Sequence, residues 1–185
     1  YDGISHPVLG FDHFLAMVCV GIISAQIGGK AIWTLPFSFV IFMIFGGTIG
    51  ILFEINKGFA EDLVLLSGYM SQSYFSNYLY NIIEYGIIFS VILLGFCITM
   101  LIQITLRTVT IFVIFFGFCH GMAHGLEMPW AVNPIFFSLG FGLGTAALHL
   151  FGVLIGYFSM QSNVSKTLLR IMGSFIGVYG LYLLI

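Results

Sequence analysis

Charge is what this sequence has least of. Of its 185 residues five are Lys or Arg and seven are Asp or Glu, so charged side chains make up 6% of the chain. A water-soluble globule is thereby excluded, because it needs far more polar surface to cover itself. No run of basic residues occurs, which leaves no electrostatic footprint for nucleic acid and no polybasic tail for anionic lipid. A glycine-rich phosphate loop is also missing: Lys30 in "IGGKA" lacks the rest of that motif, so ATP hydrolysis is not supported. There is no HExxH pair, and the histidines are too sparse for a di-iron hydroxylase. Internal repeats and low-complexity tracts are absent. Cysteines number three, and Cys19, Cys97 and Cys119 all lie in apolar stretches, where thiols act as small buried hydrophobes. No disulfide is expected.

What is present is apolar. Hydrophobic residues make up 60% of the chain, 21 residues are Phe, and the mean hydropathy is +1.13. A hydrocarbon slab about 30 Å thick is crossed by roughly 20 apolar helical residues. Six stretches are long enough, at about 7 to 28, 31 to 53, 81 to 104, 108 to 128, 134 to 158 and 167 to 185. The expected fold is an all-α integral membrane protein, one domain over 1–185 built as a bundle of about six transmembrane helices in the lipid bilayer. Short polar breaks separate the spans, with one exception. The stretch "EINKGFAEDLVLLSGYMSQSYFSNYLYN", at about 55–80, is acidic at Glu61 and Asp62 and then rich in Tyr and Ser, and is read as an extramembrane or interfacial helix or cap.

The chain begins at Tyr1 without an initiator Met or a basic leader, which is the pattern left when a secretory signal peptide is removed; a trimmed terminus is the alternative. With the N-terminus outside, Lys30, Arg107, Lys166 and Arg170 fall in inner loops and Lys57 alone in an outer one. That distribution satisfies the positive-inside tendency. Trp33 and Trp130 near span ends are compatible with interfacial anchoring.

This topology sorts the ionisable residues by depth. Asp12 and His13 fall near the outer end of the first span, Glu84 near the outer end of the third, and His120, His124 and Glu127 in the outer half of the fourth. His149 falls deeper, toward the inner half of the fifth. Ionisable groups inside a membrane usually line a cavity or pathway. In "FFGFCHGMAHGLEMP", His120 and His124 stand at i and i+4 and Glu127 at i+7, which places three donors on one helical face. Nitrogen and oxygen donors together suit a first-row divalent transition metal such as Ni, Co, Zn or Cu, whereas Mg and Ca prefer oxygen alone. The competing reading is a pair of histidines bonded to neighbouring helices.

The first span adds "SHPVLGFDH". If Pro7 opens the helix, with Ser5 as its cap, His6 and His13 fall near one face. Asp12 either ligates directly or holds the second ring N–H of a ligating histidine; in isolation it reads as a helix N-terminal charge, and His6 as a surface residue. Gly117, Gly121 and Gly125 on the fourth span, and Gly140 with Gly144 on the fifth, repeat every four residues, the spacing that lets helix backbones approach.

These residues also carry a resemblance. "HPVLGFDH" and "HGMAHGLE" resemble the two signatures of the HupE/UreJ family of nickel and cobalt permeases. "IEYGIIFSVILLG", with Glu84, is similar to that family's third span, and "GFGLGTAALHLFG", with His149, to its fifth. The resemblance covers nearly the whole chain and implies a six-span secondary transporter of the bacterial inner (cytoplasmic) membrane, made with a cleaved signal peptide. Two features depart from the family pattern: Cys119 stands where a Phe is usual, and about 57 to 80 looks like an insertion. A thiol beside His120 is expected to soften the site, and the insertion to cap the entrance.

The expected activity is therefore inward movement of a divalent metal ion, nickel or cobalt foremost and zinc next, without ATP, by a protein that is not an enzyme and holds no tightly bound cofactor. The residues expected to meet the metal are His6, Asp12, His13, Glu84, His120, His124, Glu127 and His149. Binding has to stay weak enough for release, so these residues are not expected to bind all at once. A homo-oligomer is compatible with the composition. The alternative class is a membrane-embedded metal enzyme or sensor that retains its metal.

Overall fold

A computed structural model of the chain describes residues 10–67, 72–101, 104–128 and 133–185. Among the described residues it holds six helices and no strand: α1 (Phe11–Ile27), α2 (Ala31–Ser67), α3 (Gln72–Met100), α4 (Leu106–Leu126), α5 (Pro134–Ser159) and α6 (Asn163–Tyr182). Their starts follow local chemistry. Thr105, Asn133 and Ser162 cap α4, α5 and α6, each accepting a backbone N–H from the first turn, and Pro134 opens α5, where a missing N–H does no harm. The α1–α2 turn needs positive φ at two successive positions, supplied by Gly28 (73°) and Gly29 (56°).

Each of the six apolar stretches contains a helix, with two differences in extent. α2 runs to 37 residues, about 55 Å at roughly 1.5 Å per residue, well beyond a hydrocarbon layer of about 30 Å. α3 likewise starts at Gln72, before its apolar stretch begins. The backbone of the 55–80 stretch is thus continuous with α2 up to Ser67 and with α3 from Gln72; residues 68–71 and the side chains of 57–77, Glu61 and Asp62 included, lie outside the described residues.

Among the described residues four segments are long and apolar enough to cross a membrane: Ala31–Asn56, Tyr78–Met100, Leu106–Leu126 and Pro134–Ser159. α1 is shorter, with 17 residues. α6 has 20 and is the most amphipathic, with Lys166 and Arg170 in its first turns. The outer surface is apolar: Trp33, Phe37, Phe136, Leu143 and Phe175 are all more than two-thirds exposed. Apolar exposure of this extent is what a lipid-facing surface has and a water-facing one lacks.

The helices associate most extensively as three pairs, α2 with α4, α1 with α5 and α3 with α6. Glycines make each pairing possible. A Cβ on Gly121 of α4 would overlap the Met43 carbonyl of α2, one on Gly152 of α5 would overlap the Val18 carbonyl of α1, and one on Gly95 of α3 would come within 2.6 Å of the Gly177 nitrogen on α6. On α4 this is the Gly117, Gly121 and Gly125 stripe visible in the sequence; on α5 the close approach to α1 is at Gly152 and Gly156. α1 is the central helix. Ala16 through Ser24 are buried on every side, and besides α5 the helix packs on α2, α3 and α4. A helix apolar all round is one that occupies the core. The residues at its start are thereby carried into the middle of the bundle.

Candidate metal centre

His13 stands in the first turn of α1, and Asp12 beside it determines its orientation. The Asp12 carboxylate oxygen Oδ1 accepts from the His13 backbone N–H and from its ring Nδ1, both at 2.9 Å. A carboxylate accepts only, so Nδ1 carries a proton, and in the neutral ring Nε2 carries the lone pair. Gly10, the residue before the helix, makes room for this arrangement: a Cβ there would lie 3.0 Å from His13 Nδ1 and 3.4 Å from Asp12 Oδ1.

α4 presents His120 and His124 to the same place. The His13 ring centroid lies 5.1 Å from that of His120 and 4.5 Å from that of His124. His120 is fully buried, and its Nδ1 donates to the Phe116 carbonyl one turn back at 2.8 Å, which again leaves Nε2 with the lone pair. The Nε2 atoms of His13 and His120 are buried and have no hydrogen-bond partner among the described residues. Most buried polar atoms do have one, so these two have the character of ligand-facing nitrogens. His124 also packs its ring on Phe141 of α5, with centroids 4.4 Å apart.

Carboxylates surround the trio. Glu84, half-buried on α3, is within electrostatic reach of Asp12, His13 and Glu127. Glu127 caps the end of α4 and is exposed; its Oε1 accepts the Tyr80 hydroxyl of α3 at 2.6 Å. The expected ladder on α4 is thus split. His120 and His124 meet His13, while Glu127, one position past the last helical residue, is held by Tyr80. The sequence "LEMP" supplies the reason, since a proline two residues on cannot continue the helix.

His149 lies deeper than the trio, within electrostatic reach of His120. It is buried on α5, its carbonyl packs on Gly21 of α1, and Gly21 lies roughly 12 Å beyond His13 along α1 at about 1.5 Å per residue. Its ring meets Phe39 of α2 edge-on, centroids 5.0 Å apart, and Phe39 in turn lies 5.3 Å from His120. Both ring nitrogens of His149 lack a hydrogen-bond partner among the described residues.

Asp12, His13, Glu84, His120, His124 and Glu127 therefore gather from three helices at one end of the bundle, with His149 deeper, and His6 lies outside the described residues. Among the described residues no three His, Cys, Asp or Glu side chains form a group that could hold a metal ion as they stand. Cys119 is placed away from the histidines. Its buried thiol packs toward Gly86 of α3, where a Cβ would come within 3.0 Å of Sγ, in an apolar cluster with Ile83, Ile87, Met122 and Ala123. One position along a helix is a turn of about 100°, so the neighbour of His120 faces another helix. Three contributors escape a reading of the sequence. Tyr80 had a signal in its i, i+4 spacing to Glu84, and Gly10 in its place inside "HPVLGFDH"; Phe39, one Phe among 21, had none.

The sequence profile described as "HupE / UreJ protein" matches residues 1–71 and 75–183, nearly the entire chain. The chain belongs to the HupE/UreJ family. The family is associated with nickel and cobalt transport. The interruption of the match, at 72–74, falls inside the stretch between the second and third apolar segments. The chain is also 32% identical to Protein HupE of Rhizobium leguminosarum bv. viciae over 184 residues, covering 99% of this chain and 83% of that protein. No solved structure matches it.

Proposed function

We propose that this HupE/UreJ protein carries a divalent transition-metal ion, nickel or cobalt foremost and zinc next, inward across the bacterial cytoplasmic membrane without ATP. The convergence of His13, His120 and His124 inside the bundle carries this reading. In the proposed orientation the N-terminus is outside, all six helices span, and the histidine end of the bundle faces outward. Asp12, Glu84 and Glu127 attract the hydrated cation at the mouth. Neutral imidazole nitrogens then replace part of its water shell, an exchange that favours Ni, Co and Zn over Mg and Ca. His6, seven residues before His13 in the sequence, is proposed to act with them.

Release sets the limit on how strongly the ion is held. A pathway must bind well enough to admit the ion and weakly enough to let it leave. Nitrogens on α1 and α4 that are close together yet not gathered in one cage suit that requirement. His149 supplies the next donor inward. A divalent ion moving through about 100 mV, inside negative, releases roughly 4.6 kcal/mol, at about 2.3 per charge, enough to drive uptake without a second energy source.

The test is uptake into proteoliposomes with Ni, Co and Zn compared side by side under an imposed potential. Flux of one or more of these, absent in protein-free vesicles, is expected. A protein that binds metal tightly, retains it through purification and moves none is instead a metal enzyme or sensor.

A further inference from the structure

Four buried rings from four helices touch in succession: His13 of α1, His120 of α4, Phe39 of α2 and His149 of α5, with successive centroids 5.1, 5.3 and 5.0 Å apart. Three of the four bear nitrogens that lack a partner among the described residues, and the fourth has no donor at all. Among the described residues His149 makes a single ring contact, with Phe39. Phe39 has no exposed surface. Its backbone is fixed against α4, because a Cβ on Gly117 would lie 2.6 Å from the Phe39 carbonyl oxygen and 3.1 Å from its Cα. Any change of place at this position is therefore left to the side chain, by rotation about its own bonds.

We infer that the Phe39 ring is the apolar seal between two imidazole stations and determines which ions pass: the outer trio of His13, His120 and His124 lies on one side and His149 on the other. This deepens the transport reading and rests on it. An apolar constriction stops hydrated ions and proton-carrying water by dewetting. A metal that trades water for nitrogen crosses the gap when the ring rotates, with an imidazole on each side to receive it. Mg, which gives up water reluctantly and prefers oxygen, does not. The outer cluster alone accounts for attraction and capture; it does not account for a buried ring without donors packed against both His120 and His149.

The experiment compares wild type, Phe39→Ala and Phe39→Leu in liposomes, reading internal pH and internal free metal under a potassium diffusion potential. Wild type is expected to be tight to protons and Mg. Phe39→Ala is expected to lose that tightness to both while still admitting nickel or cobalt, and Phe39→Leu to show a smaller loss in the same direction. A Phe39→Ala protein as proton-tight as wild type overturns the proposal, whether or not it still moves metal. Should Phe39→Ala fail to fold, the decision passes to Phe39→Leu, for which a leak equal to wild type is the overturning result. The proton readout needs no metal flux. A wild type that moves no divalent metal therefore sinks the transport reading, while the leak still decides whether Phe39 seals the bundle.

Discussion

The His13 and His124 rings lie 4.5 Å apart, tilted by 54°, although one residue opens the first helix and the other stands near the end of the fourth. This proximity follows from the all-round apolar surface of α1, which draws that helix to the centre, and from the glycine stripe on α4, which draws α4 onto α2. The imidazoles meet because the helices beneath them have few other ways to pack.

His120→Ala and His124→Ala are each expected to abolish metal uptake while leaving yield and monodispersity in detergent close to wild type. Both rings pack against His13, and losing either removes a candidate donor from the route. Wild-type flux in both variants would remove the assignment.

Asp12→Asn is expected to keep the helix and weaken metal capture. The carboxylate holds Nδ1–H of His13, and loss of such a supporting group typically weakens metal affinity by about 10- to 100-fold. The half-saturating metal concentration for uptake should rise by that factor, with a smaller change in maximal rate. Circular dichroism matching wild type separates this outcome from misfolding.

Uptake should fall as the outside pH drops toward 5. Histidine has a reference pKa of about 6.5 and ligates only when neutral. Protons and metal compete for the same imidazole lone pair, so acidification works against capture. A pH-independent rate between about pH 5 and 8 counts against histidine ligation.

Gly121→Ala is expected to disrupt the α2–α4 pair, because the added methyl has no place but the Met43 carbonyl. Gly142→Ala provides the contrast. Its Cβ would meet only a Val40 methyl, at 4.0 Å, and alanine favours a helix over glycine by about 1 kcal/mol. Thermal unfolding in detergent should show a large loss for the first and no loss for the second.

Tyr80→Phe should lower stability by about 1 kcal/mol, and Glu127→Ala, which removes the acceptor, by a similar amount. Because the two side chains share one hydrogen bond, the double variant should lose little beyond the larger single effect. Additive losses in a double-mutant cycle would mean that the hydroxyl and carboxylate act separately.

The sequence by itself determined the apolar class, the six helical stretches and the residue types of the site. These depend on composition and on spacing within a single helix: too little charge to cover a globule, runs long enough to span, and imidazoles one turn apart on α4. Only the tertiary structure decided which residues meet. It turned Glu127 toward Tyr80 and Cys119 toward α3, it brought α1 against α4 at the histidine trio, and it packed Phe39 against both His120 and His149. The physical reason is that helices in lipid associate by close packing of small residues, so partners are chosen by where glycines on different helices match. That match is made between segments far apart in the chain, and no spacing within one segment encodes it.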